Sequence, residues 1–325
     1  MALLEARDLH VSFRTEDGVV QAVRGVSLAV EPGETLGLVG ESGSGKSVTA
    51  LTLLGLTRTP NATVSGTVLL DGVDVLKLSP DELHAIRGKR IAVIFQDPLS
   101  SLHPFYRVGW QIVEAIRAHE HVSSRAGRAR AIEALREVGI PGPAQRVDAY
   151  PHELSGGMRQ RVMIAMALVL DPDVLIADEP TTALDVTVQA QILELIEQLQ
   201  AEHGTAVILI THDLGVVAEV ADRVLVMYAG RVVEEASLEA MLTDPEHPYT
   251  YGLLQSIPRL DTPRRRRLEP IPGHPPSLIA LPGGCPFRFR CPHAFAPCPE
   301  LDPALLVSEP GHRVACHLYA GLRAA

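Results

Sequence analysis

The sequence predicts an α/β fold: a buried, largely parallel sheet built around one glycine-rich loop, preceded by an antiparallel sheet, interrupted by helices and followed by a small cysteine-containing extension. Three observations predict it. Gly40-Glu41-Ser42-Gly43-Ser44-Gly45-Lys46-Ser47 stands between an apolar run, Leu36 to Val39, and an apolar-periodic segment from Val48 to Leu56, which is the order strand, tight turn, helix start. Short apolar runs at Val174 to Ala177 and Ala206 to Ile210 each end in polar residues, as central parallel strands do at the ligand crevice of a sheet. From Leu99 to about Leu170 the apolar residues recur at helical spacing instead, which reads as a helical insertion.

Taken in order, Leu3 to Leu9, Val11 to Phe13 and Val19 to Val30 cluster apolar and β-branched residues between the turn signals Asp17-Gly18 and Glu31-Pro32-Gly33, so the chain opens as an antiparallel sheet. Phe13 is the aromatic of that stretch, placed either to stack on an adenine ring at the edge of the loop's site or to fill the core. Thr63 to Leu70 is a strand ending at Asp71-Gly72, and Ser79 caps a short helix whose first position is Pro80. Ile91 to Phe95 is a buried strand ending in Gln96, before Asp97-Pro98 breaks the element. Helices follow over Val108 to Ala118 and Arg128 to Val138. The next opens with Leu154-Ser155-Gly156-Gly157, where Ser155 caps and the glycines leave the helix N-terminus bare of side chains. Gln189 to Gln200 is an amphipathic helix, and Arg223 to Met227 with Arg231 to Glu234 form a hairpin through Ala229-Gly230.

At 325 residues with 46% hydrophobic and 21% charged residues, the chain is globular, one large domain or a domain with an appendage. A net charge of −10 and an aromatic content of 4% argue against nucleic acid as a partner. The longest apolar stretch, Val162 to Leu170, is far below a membrane span, and Met1 to Arg7 has no basic leader or cleavage site, so a soluble intracellular chain is expected.

The residue types in this order point to phosphate chemistry. In the first loop, Gly40, Ser42, Gly43 and Gly45 let successive N–H groups face one phosphate chain, Lys46 reaches its β and γ groups, and the Ser47 hydroxyl meets a bridging magnesium ion. Asp178 and Glu179, adjacent acids at a strand end, are costly to bury unless a cation or substrate uses them: Asp178 holds magnesium through water, Glu179 orients the attacking water. Gln96 and His212 end two further strands, and His212 is placed to reach the γ-phosphate.

Together these residues resemble the ATP-binding subunit of an ABC transporter, a P-loop NTPase, over about residues 1 to 245, with residues 246 to 325 as an appended extension. The match consists of a Walker A loop (Gly40 to Ser47), a Q-loop glutamine (Gln96), the signature Leu154-Ser155-Gly156-Gly157, a Walker B strand with its glutamate (Val174 to Glu179), a D-loop (Ala183 to Asp185) and a switch histidine (His212). The resemblance implies two such subunits sandwiching ATP between Lys46 of one and Ser155, Gly156, Gly157 of the other, with Asp185 nearby. It also implies Gln96 joining Ser47 and Asp178 at magnesium, and Glu179, His212, Lys46 and Gln96 serving hydrolysis. Tyr150-Pro151-His152-Glu153, the run from Met158 to Ala167 and His247-Pro248-Tyr249-Thr250 are similar to the D-type subunit of dipeptide and oligopeptide permeases. That branch implies a second related ATPase as heterodimer partner, two membrane permeases, an extracytoplasmic peptide-binding protein, and a peripheral position on the cytoplasmic face of the inner membrane. A partly apolar surface after Gln96 and on the helical insertion would receive the permeases. Importers of nickel or other small solutes, and soluble ABC ATPases outside transport, are the alternatives.

Beyond Glu246 the composition turns to proline, arginine and glycine, with a charged linker from Asp261 to Arg267 and a stretch from Pro270 to Pro282 too proline-rich for regular elements. All four cysteines, Cys285, Cys291, Cys298 and Cys316, lie in this extension, and proline follows three of them. Their spacing lacks the paired knuckles of common zinc sites and suits a [4Fe–4S] cluster, with Zn²⁺, or free thiols or disulfides, as alternatives and His293, His312 and His317 as spare ligands. A short extension poor in periodic apolar residues is expected to need such a staple.

Overall fold

The computed structural model describes residues 2–97, 101–182, 184–256 and 271–319, and the chain divides into two compact units. The linker from Asp261 to Arg267, Pro270, Ala183 of the D-loop and the Leu99 boundary lie outside the described residues.

One unit comprises residues 2–29, 35–76 and 209–325. It opens with β1 (Leu4–Thr15) and β2 (Gly18–Val30), continued by β4 (Ala62–Leu70) and β5 (Val73–Asp74) in the order β2-β1-β4-β5. β1 pairs antiparallel with β4, and the pairing shifts register between Arg7 and His10, where Asp8 takes a positive φ of 46°. That bulge is why the sequence reads as two runs although the strand is one. The second sheet of this unit sets β3 (Thr35–Val39) parallel to β9 (Arg223–Tyr228), and β9 antiparallel to β10 (Arg231–Ser237). β3 is buried at every position, as a strand covered on both faces must be. α1 (Lys46–Leu53) leaves the glycine-rich loop after β3.

Although poor in periodic apolar residues, the extension packs on this unit: it adds a hairpin of β11 (Leu306–Glu309) and β12 (His312–Val314) to β10, and Phe287 joins Val39, Tyr228 and Tyr249 in one buried cluster. Glu234 on β10 is fully buried; it accepts hydrogen bonds from the backbone N–H groups of Glu246 (2.7 Å) and His247 (3.0 Å) and lies 2.8 Å from His312 Nε2. A buried carboxylate persists only when so paired. Residues 271–282 hold no helix or strand, as their prolines predict.

The other unit comprises residues 30–34 and 77–208. α2 (Pro80–Ile86) starts in a capping box between Ser79 and Glu82, and β6 (Ile91–Ile94) pairs parallel with β7 (Val174–Asp178). The helical insertion holds α3 (Val108–Arg117), α4 (Ser124–Glu137), α5 (Pro143–Arg146) and α6 (Gly156–Leu168). α7 (Val186–His203) and β8 (Ala206–Thr211) complete the alternation; β8 runs on into the first unit, where α8 (Leu214–Val220), α9 (Leu238–Thr243) and α10 (Pro248–Gln255) follow. Among the described residues no helix is long and apolar enough to cross a membrane.

Candidate functional site

The first loop is shaped by close approach. A Cβ at Gly40 would lie 2.3 Å from the Met227 carbonyl oxygen, and one at Gly45, whose φ is 102°, would lie 2.4 Å from that of Ala22. Only glycine lets the chain turn there and enter α1. The Gly230 N–H donates to the Ser44 carbonyl at 2.9 Å, tying the loop to the β9–β10 hairpin. Lys46 is buried and its Nζ donates to the carbonyls of Gly40 (2.6 Å) and Glu41 (3.1 Å), so the ammonium is folded over the loop it would serve. Ser42, Gly43 and Ser47 face solvent, while the buried Ser44 hydroxyl has no hydrogen-bond partner among the described residues. An unspent hydroxyl inside a ring of bare backbone fits an arriving anion. Phe13 is half-buried on β1, neither sealed in the core nor open.

Two residues that sequence reasoning missed hold this loop. The Glu41 N–H donates to Tyr249 Oη at 2.8 Å, and the Glu41 carboxylate accepts both arms of Arg290, at 2.6 and 2.9 Å. Burial holds the Tyr249 phenol well above its usual range, so it stays protonated. Only the His247-Pro248-Tyr249-Thr250 run gave any signal for Tyr249; Arg290, 249 positions from Glu41, gave none.

In the other unit, β7 ends in buried Asp178, and Glu179 follows with a left-handed φ of 48°, a strained setting for a glutamate. Gln96 Nε2 donates to Glu179 Oε2 at 2.8 Å, and the Thr182 hydroxyl donates to the same oxygen at 2.8 Å. The structure thus brings Gln96 and Glu179 together and aims one carboxylate. Ser155 caps α6 by accepting from the Met158 N–H at 3.3 Å, with Ser155 and Gly156 exposed and Gly157 against Val188. Asp185 spends a carboxylate oxygen on the Val188 N–H (3.0 Å), capping α7. In the first unit His212 is exposed after β8, and Asp213 caps α8.

The four cysteines are unpaired thiols lining one pocket with His293 and His317. Burial raises the thiols of Cys285 and Cys291 and pushes Cys316 up to about 11, with the neighbouring cysteines adding to it. Among the described residues no group of three or more histidine, cysteine, aspartate or glutamate side chains is set to hold a metal ion, so the expected cluster is not shown. The spare ligand His312 is corrected: its Nε2 is committed to Glu234. His317 Nε2 is bonded to the Leu301 carbonyl at 2.8 Å.

The ABC transporter family matches residues 23–182, and the family described as the oligopeptide/dipeptide transporter C-terminal region matches residues 233–298. The dipeptide transport ATP-binding protein DppD of Bacillus subtilis is 51% identical over 317 residues, covering 97% of this chain and 94% of its own. The chain belongs to the ATP-binding proteins of peptide ABC transporters. The oligopeptide transport ATP-binding protein OppD of Mycobacterium bovis is 55% identical over 315 residues, 97% of this chain but 51% of that protein, so the chain spans about half the length of this relative. Among solved structures, a dimeric ATP-binding cassette in a post-hydrolysis state bound to ADP and Pi has a TM-score of 0.65 at 29% identity, covering 72% of this chain and 98% of its own. The extension of this peptide-transporter ATP-binding protein is therefore a family feature, and the matched region reaches Cys298 but not Cys316.

Proposed function

We propose that this chain binds MgATP and hydrolyses it to power import of dipeptides or oligopeptides. The observation that carries the chemistry is the run of Asp178 and Glu179 at the end of β7, with Glu179 aimed by Gln96 and Thr182. Lys46 and the loop N–H groups bind and orient the phosphates. Glu179 orients the water and takes its proton at Oε2 or Oε1, and His212 contacts the γ-phosphate. Magnesium, held by Ser47, Asp178 and Gln96, would neutralise charge between the β- and γ-phosphates. The signature residues Ser155, Gly156 and Gly157, with Asp185, complete the site on a partner cassette, the exposure of Ser155, Gly156 and Asp185 in the lone chain being what a closing partner requires.

In this reading residues 1–245 form the nucleotide-binding part and residues 246–325 the extension. The partner is a second, related ATPase, and both sit on two permeases at the cytoplasmic face of the membrane, fed by an extracytoplasmic peptide-binding protein. Exposed Phe95, Phe105, Tyr106 and Trp110 on and before the helical insertion support that docking. Cys285, Cys291, Cys298 and Cys316 would hold a [4Fe–4S] cluster, or Zn²⁺, the support being that all four thiols share one pocket. Burial raises the thiols of Cys285, Cys291 and Cys316, so loading would release protons.

Co-expression of the chain with two permeases and a related ATPase tests the transport reading. ATP turnover stimulated by peptide-loaded binding protein, and abolished by Lys46→Ala, is expected; a folded complex without turnover would refute it. Iron, sulfide and a visible band lost in Cys291→Ser would identify a cluster. Colourless zinc would identify a clip, and no metal would leave four thiols.

A further inference from the structure

We propose that Arg290, in the cysteine-bearing extension, is a positioning residue for the nucleotide loop: it neutralises and clamps Glu41 so that the loop accepts a polyphosphate. The inference rests on the reading of residues 40–47 as the ATP site. An acid as the second residue of that loop is unfavourable on its face, because a free carboxylate beside the phosphate cradle repels the anion it is meant to bind. Here the carboxylate is spent. Arg290 Nη1 and Nη2 donate to its two oxygens at 2.6 and 2.9 Å, the paired geometry that makes such bonds strong.

The guanidinium is itself built in. Its side chain is 4% exposed against 29% for Glu41, its Nε donates to the Pro272 carbonyl at 2.9 Å, and it lies 5.8 Å from the Tyr228 ring centre and 5.9 Å from that of Phe287. A buried, stacked arginine cannot swing away at small cost, so the carboxylate it holds is fixed too. The Glu41 backbone is held on both sides as well, its N–H by Tyr249 and its carbonyl by Lys46. Glu41 is therefore fixed at its N–H, carbonyl and side chain before nucleotide arrives. The entry to the loop is then ordered in advance, leaving more of the phosphate contact energy as affinity.

The clamp makes a charge prediction that simple loss of packing does not. Binding of a fluorescent ATP analogue with magnesium is measured on the full chain for wild type, Arg290→Gln, Glu41→Gln and the double variant, together with KM and kcat of the assembled ATPase. Arg290→Gln bares the carboxylate and is expected to weaken binding by about tenfold or more, raising KM with little change in kcat. Glu41→Gln removes the repulsion with the clamp and is expected to cost about threefold or less. The double variant is expected to recover most of the Arg290→Gln loss, a non-additivity that measures the pair. Wild-type affinity in folded Arg290→Gln, or additive losses in the double variant, overturns the proposal. If Arg290→Gln does not fold, Arg290→Lys replaces it: about threefold weaker binding supports the paired clamp, and unchanged affinity overturns it. No binding by wild type would instead overturn the ATP-site reading.

Discussion

Residues 40–47 and residues 154–157 are both glycine-bearing entries to a helix, yet the chain treats them oppositely. The first is wrapped: Lys46 caps two of its carbonyls, Gly230 holds Ser44, and Tyr249 and Arg290 from the far end of the sequence hold Glu41. The second is bare: Ser155 and Gly156 face solvent, and the Ser155–Met158 cap is the local bond that sets the turn. A loop that binds ATP alone gains from being ordered in advance, whereas a loop that closes on a partner's nucleotide must stay open until then.

The largest test of that division is Glu179→Gln. Turnover should fall by about a thousandfold while ATP stays bound at the first loop, as measured by phosphate release against bound nucleotide; equal loss of binding and turnover would place Glu179 in the wrapped site's grip rather than at the water. The extension that supplies Arg290 is loosened by His312→Ala, which leaves buried Glu234 without its imidazole partner and should cost about 3 kcal/mol of unfolding free energy. The hydrogen bond to Glu234 raises the His312 pKa above its ordinary 6.5, so this contribution is complete below that value and is lost as pH rises through the raised one. Denaturation at a series of pH values above 6.5 should show this loss in wild type and its absence in His312→Ala. On the bare loop, Gly157→Ala places a Cβ 2.9 Å from Val188 Cγ1 and should slow turnover of the assembled pair about tenfold without changing ATP binding by the lone chain. The smallest effect is expected for Ser79→Ala, which removes a capping box remote from either loop in sequence and should cost about 1 kcal/mol of stability in a thermal melt.

Legibility in the sequence followed the same division. β3, β7 and β8 were readable because continuous apolar runs bounded by turn residues leave few alternatives, and α2 because Ser79, Pro80 and Glu82 announce its start. The glycines, Lys46, Ser47, Asp178 and Glu179 were readable because phosphate chemistry constrains their order. Gln96 was placed at its strand end, but its bond to Glu179 joins residues 83 apart and needed the fold. The extension was least legible. Leu306 and Val307 are exposed on a short strand, so their pattern resembles a loop, and the hairpin becomes regular only by pairing with β10. Glu41 occupies a position where the loop motif accepts any residue, so nothing local marked it as half of a pair.

The most direct test of the account is magnesium-dependent binding of ATP to the full chain, compared with Lys46→Ala. Saturable binding that needs the lysine is the predicted result. Binding that survives Lys46→Ala undiminished in a folded protein, or no binding by wild type, would contradict it.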